Sequence, residues 1–365
     1  MESRHIQERF GFDVGTGGFL VEESAVEEHW RSLVLFGENT TSYKFALAKA
    51  LIEVAAEGHD FVPLRTLALP FSRHICAHLG LQDVQARGKK MNGGAYLNAC
   101  RFYNAEKISE DELIETTART GFRYVLDRFH HLAGYDELTP FFVRESQNKI
   151  KGIHLTDAMF DMTQGSQGGV LIGEAEARWN LVEDAWASRE DAWTPILFDS
   201  PSEQLVRALT GKRRRIADVR PTLNGYQKGH CFYCFGRIDI VDGVGETECD
   251  VDHFLPHALL AKGYPYDLDA VWNLVLACSR CNRGEKGKFA NIPHRKFLQR
   301  LSNRNNFFIF SHHPLRETLL AQTGASHRER AAFLTNAYSK ALEMEGGVAG
   351  LLTQWQPSME ERPLF

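Results

Sequence analysis

The sequence has no apolar run near the ~20 residues that a membrane-spanning helix requires. Its opening, MESRHIQERFGFD, has neither the apolar core nor the small-residue cleavage site of a secretory leader. No membrane partner is expected, and the expected location is the cytoplasm. Excess positive charge is missing too: 42 Lys and Arg face 47 Asp and Glu, a net charge of −5. The whole-chain field therefore does not announce a nucleic-acid binder, and any such role must come from a local patch. Seven cysteines in 365 residues are too few for a disulfide scaffold. In a reducing compartment they point to metal binding or free thiols. With 43% hydrophobic and 24% charged residues the chain can build a real core, so global disorder is excluded. No internal repeat is visible.

Residues 1–225 read as mostly helical. In TTSYKFALAKALIEVAAEG (40–58), Tyr43, Leu47, Ala50, Leu51 and Val54 share one helical face. Lys44, Lys49, Glu53 and Glu57 lie elsewhere, and Gly58 is the stop. Capping boxes are expected at Ser109–Glu112, Ser200–Glu203 and Ser326–Glu329, each opening a helix. Gly121 is a candidate break after the first, and Gly346 and Gly347 end the last. GSQGG (165–169), KRRR (212–215) and PTLNG (221–225) read as loop or linker.

Residues 228–292 differ in kind. Cys231 and Cys234, then Cys278 and Cys281, form two CxxC pairs, each able to offer two thiolates to one tetrahedral Zn²⁺. Four sulfurs fill that sphere, so the zinc would be structural and would contribute folding energy. A redox role is disfavoured, because no thioredoxin-like strand and helix surround either pair. Cys76, Cys100 and Cys249 lack such partners and read as small apolar residues. RIDIVDGVGETECDVD (237–252) reads as two short strands about a glycine turn.

Between the cysteine pairs stand Asp252 and His253, then Trp272, Asn273 and Leu274, with Asn282 and Lys286 after the last cysteine. The order CxxC, VDHFLP, WNL, CxxCNxxxK resembles the HNH endonucleases, the ββα-metal nucleases. The likeness covers about residues 228–292, and within it five separated motifs agree in order and spacing. It implies His253 as general base, and a neutral imidazole near pH 7 suits that task. It implies Asp252 and Asn282 as ligands of a catalytic Mg²⁺ or Mn²⁺, with Ni²⁺ as a further candidate. Asn stands at 282 where other members have His. Asn273 is expected to organise the loop and the imidazole through backbone hydrogen bonds. Asp250 is either an orienting carboxylate or an exposed residue on the alternate face, the second being favoured.

From 276 to 304 Arg280, Arg283, Lys286, Lys288, Arg295, Lys296, Arg300 and Arg304 face only Glu285. Arg280, Arg283, Lys286 and Lys288 are the expected phosphate contacts. The fold expectation is mainly α: a helical accessory, recognition or oligomerisation domain (1–225), a zinc-stapled ββα nuclease domain (226–292) and a helical extension packing on it (293–365). The expected function is metal-dependent endonucleolytic cleavage, foremost of double-stranded DNA. By analogy of architecture, the chain would serve in restriction or anti-phage defence, as a homo-oligomer or with a partner protein. The alternatives are an RNA-cleaving effector and a catalytically silent zinc-stabilised nucleic-acid-binding module.

Overall fold

Two helices, α1 (Ala25–Val34) and α2 (Tyr43–Ala56), open the described part of the chain. The computed structural model describes residues 25–36, 39–87, 92–131, 140–164, 167–187, 194–209, 212–241, 243–311, 313–346 and 354–357. Helix α2 stops where Gly58 takes φ +77°, a left-handed conformation that side chains resist. It is buried on more than the face its spacing predicts, because Phe45, Ala46, Ala48 and Ile52 are buried as well. Lys49 is correspondingly not on a solvated face: it is buried, with its ammonium 2.5 Å from Glu176.

The chain divides into two compact units, Glu22–Asp191 and Ala192–Phe365. The first is mostly helical: α3 (Leu64–Leu81), α4 (Ala95–Asn104), α5 (Glu110–Thr116), α6 (Val125–Arg128), α7 (Asp157–Met162) and α8 (Gln167–Ala187) follow α2. Ser109 accepts from the backbone of Glu112 and the Glu112 carboxylate accepts from Ser109, the expected box. The turn after α5 widens into a π-helical stretch, Thr117–Gly121, and helix resumes only at Val125. The reading of GSQGG as loop is corrected in part: helix α8 starts at Gln167 and includes Gly168 and Gly169, while 165–166 lie outside the described residues. A small antiparallel sheet in this unit, β1 (Phe61–Pro63), β3 (Ile150–Leu155) and β2 (Phe142–Gln147) in that order, was not foreseen. A Cβ on Gly152 would lie 2.5 Å from the Phe61 ring, so glycine permits the approach of β1.

The second unit begins with an antiparallel meander, β4 (Ile196–Asp199), β5 (Gln204–Leu209) and β6 (Lys212–Asp218). Three expectations are corrected here. Ser200–Ser202 is one 3₁₀ turn joining β4 to β5, not a helix start, and Glu203 closes it with φ +50°. KRRR lies within strand β6. PTLNG lies within helix α9 (Val219–Gln227), where Pro221 falls in the first turn, the one place a helix tolerates its missing N–H.

Strands β7 (Cys249–His253) and β8 (Leu274–Cys278) pair antiparallel and lead into the short helix α10 (Ser279–Arg283). The hairpin expected within 237–252 is not formed: residues 237–240 contribute isolated bridges, and β7 takes β8 as its partner. Helices α11 (Lys296–Phe310), α12 (Leu315–Thr323) and α13 (His327–Met344) complete the unit, α13 opening on the expected Ser326 box. The whole is mainly α, as its sequence predicts. A last segment returns to the cysteine region. Trp355 bonds the backbone of Ile292 and His294 and donates its indole N–H to the Lys286 carbonyl at 2.9 Å. Its ring packs edge-on to Tyr233, centroids 5.0 Å apart.

Candidate metal centre and histidine site

The first knuckle is shaped by its own backbone. Cys231 N–H donates to Gly236 O at 2.8 Å, and Phe235 turns the chain with φ +57°. The N–H groups of Tyr233 and Gly236 point at the Cys231 and Cys234 sulfurs, both at 3.4 Å. Strand β8 delivers Cys278, and α10 carries Cys281. The four Sγ atoms lie within 4.8 Å of one another, and Cys234 and Cys278 are 3.8 Å apart. Sulfurs at the corners of a tetrahedron with Zn–S of about 2.3 Å are separated by about 3.8 Å, so the cluster is compatible with zinc. Hydrogen bonds among the thiols, the Cys231 thiol foremost, hold Cys234 and Cys278 below the ordinary thiol range. Burial pushes Cys231 above it. A cation at the centre would reverse that cost and bring all four to thiolate. Cys249 stands opposite Cys278 in the strand register yet is not in the cluster, and burial raises its thiol to about 12.

Three side chains of the expected motifs or basic run serve as architecture. Asn273 is fully buried: its amide donates to Leu255 O and Leu268 O at 3.0 Å, and its oxygen accepts from Leu255 N at 2.8 Å. It thereby fixes the backbone two residues after His253. Arg300 donates to the carbonyls of Phe232 and Tyr233 and lies 3.9 Å above the Phe235 ring, bracing the first knuckle. Arg304 donates to the carbonyls of Val271, Trp272 and Leu274, and burial lowers it to about 9. The basic run is therefore two populations. Arg280, Arg283, Lys286, Arg295 and Lys296 are exposed, whereas Lys288, Arg300 and Arg304 are buried.

Lys288 requires a correction. It is 0% exposed and its ammonium sits 2.9 Å from Asp252 Oδ1, so it is not on the surface where a phosphate would lie. Gly284 and Gly287 make this possible. A Cβ on Gly284 would lie 2.7 Å from Arg280 O and one on Gly287 2.8 Å from Gly284 N. The tight loop returns Lys288 N–H to Cys281 O at 2.7 Å. For the same reason α10 ends at Arg283, and exposed Lys286 is not one helical turn beyond Asn282.

Asp252 and Asn282 find different partners. Asp252 is buried, accepting from Lys288 through one oxygen and from the Tyr233 hydroxyl through the other at 2.6 Å. Burial, with the Asp252 charge beside it, pushes the Tyr233 hydroxyl well up, so it remains a donor. The Asn282 amide donates instead to Asp250 at 3.1 Å. Asp250 also accepts from Arg283, which bonds Glu248 as well. The expected cation between Asp252 and Asn282 does not fit this arrangement: both carboxylate oxygens are taken, and an ammonium already balances the charge. Replacing Lys288 by Met should destabilise the protein by ~3–5 kcal/mol, because it strands a buried carboxylate. Urea unfolding of the variant measures it, and a loss under ~1 kcal/mol would mean that the pair is solvated.

His253, at the end of β7, takes the face opposite to Asp252, as neighbours on a strand do. Its side chain is 14% exposed, with Nε2 3.0 Å from Asp269 Oδ1. Burial lowers its pKa against the Asp269 hydrogen bond, which raises it, so the ring is neutral near pH 7. His257 Nε2 lies 3.6 Å from the same oxygen, and the two rings are 5.2 Å apart. Asp269 is fixed in turn: its N–H donates to Asp267 at 2.9 Å, and its carbonyl accepts from Phe198 N on β4 at 2.8 Å. The Phe198 ring stands 5.7 Å from the His253 ring. Sequence reasoning missed Asp269 and His257. The repeat of His four residues after His253 was the available signal; nothing local marks Asp269.

Compared with known proteins, the chain matches no family model, no curated protein and no solved structure.

Proposed function

We propose that this chain cleaves nucleic acids by phosphodiester hydrolysis at a site centred on His253, as its likeness to the HNH nucleases implies. The observation that carries the reading is the His253 imidazole itself. It is neutral and bonded to a carboxylate through one nitrogen, which leaves the other to take a proton from water. Exposed Arg280, Arg283 and Lys286, in α10 and the loop after it, at the Cys249 end of the strand pair, would hold phosphates, Arg283 with part of its donor set already given to Glu248 and Asp250. Zinc in the cysteine cluster would supply folding energy and no chemistry. Because Asp252 and Asn282 do not fit a shared ion, no step is assigned to one.

One observation favours a second reading. The Lys288 ammonium neutralises the carboxylate that the HNH pattern reserves for metal, as it would in a module that binds nucleic acid and no longer cuts it. Purified protein incubated with supercoiled plasmid, linear duplex, single-stranded DNA and RNA, with and without Mg²⁺, Mn²⁺ and Ni²⁺, separates the two. Nicking or cutting of one substrate is the expected result, with duplex DNA favoured. Binding without cleavage in every condition would establish the silent module.

A further inference from the structure

The nuclease reading leaves one chemical need unmet. Breaking a phosphodiester expels a sugar oxygen, and the charge on it must be met by a metal ion or a proton. The donors expected to hold that ion are engaged with Lys288, Tyr233 and Asp250. A second imidazole stands beside the base. We propose that His257 is a catalytic residue that gives the proton to the leaving oxygen, and that Asp269 holds it opposite His253. The inference rests on the nuclease reading above.

The geometry is specific. Both Nε2 atoms converge on one carboxylate oxygen, at 3.0 Å for His253 and 3.6 Å for His257, which leaves Nδ1 of each ring for the substrate. Ring centroids 5.2 Å apart, with planes at 57° to one another, bring both imidazoles within reach of one phosphate group. The rings differ in access: His257 is 54% exposed against 14% for His253. The leaving strand departs toward solvent, and the exposed ring meets it there. His257 is no free surface side chain either. It opens the 3₁₀ turn His257–Lys262 behind Pro256 at φ −65°, and Asn273 pins Leu255 two residues earlier.

The step balances. Water oxygen bonds to phosphorus while its proton passes to His253. The bond from phosphorus to the leaving oxygen breaks, and that oxygen takes the electron pair and a proton from His257. One water is consumed, and solvent returns the proton from His253 to His257.

The test varies the leaving group. The cut position is first mapped on an oligonucleotide of whichever nucleic acid the wild type cleaves. The leaving oxygen there is then replaced by a bridging sulfur, which departs as thiolate without needing a proton. Because His257 is exposed, His257→Ala should keep its zinc content and melting temperature. On the oxygen substrate it should lose ~10²–10⁴-fold in rate, and on the sulfur substrate less than about threefold. His253→Ala should fail on both. Equal losses for His257→Ala on both substrates, or no loss on either, would overturn the assignment while the nuclease reading stood. A wild type that cleaves neither substrate would remove both.

Discussion

Cys234→Ser protein will emerge from dialysis without zinc and with residues 228–292 unfolded. The two knuckles meet through Phe232 N–H to Leu276 O at 2.9 Å and through the Gln227 amide, which donates to the carbonyls of His230 and Leu276; a shared ion would add the bonds that hold all four sulfurs together. Structural zinc contributes on the order of 10–16 kcal/mol of binding free energy in small modules, comparable to the whole ~5–15 kcal/mol that stabilises an ordinary domain. A hydroxyl in place of one thiolate removes a ligand whose partners Cys231 and Cys281 are buried and cannot turn to water. The wild type should carry one zinc per chain by elemental analysis, and the variant little or none. The same collapse should follow prolonged chelation of the wild type. A wild type that holds no zinc, with a variant of unchanged melting curve, would show that the four sulfurs pack as thiols.

The second large effect concerns chemistry and leaves the fold alone. His253→Ala should lower cleavage by ~10²–10⁴-fold while nucleic-acid binding stays within about threefold. The separation is expected because the exposed cations, Arg280, Arg283 and Lys286, lie on a different segment from His253. The ring is partly accessible, and Asn273 fixes the following loop without its help. Cleavage rates and gel-shift affinities on one substrate decide the matter. Undiminished cutting by His253→Ala would move the chemistry elsewhere.

What the sequence revealed follows the range of the interactions. Capping boxes at Ser109 and Ser326 are chemistry between residues three apart, and both are formed. The box at Ser200 has the same letters but fails, because the residues after Glu203 pair with β4 and β6. Pairing across a sheet overrides a local cap, and no window of a few residues contains it. The four cysteines were legible because their spacing is itself the geometry of a knuckle. The basic run misled because charge in a sequence says nothing of burial. Arg300 reaches carbonyls 68 and 67 residues away, and Lys288 finds Asp252 at a separation of 36. Asp269 was invisible for the same reason. Its value comes from His253, 16 residues before it, and from Phe198 on a strand that the sequence did not disclose.

The return of Trp355 has a consequence for the order of events during synthesis. Its indole caps the ring of Tyr233, which in turn holds Asp252, and its backbone bonds Ile292 and His294. A ribosome adds about 5–20 residues per second, so the cysteines are exposed in the nascent chain for seconds before this strap exists. Zinc can be captured early, and Phe232 and Phe297 already flank Tyr233, but the indole contact to its ring waits until residue 355 clears the exit tunnel. The pocket around Asp252 would thus close later than the cysteine knuckles beside it.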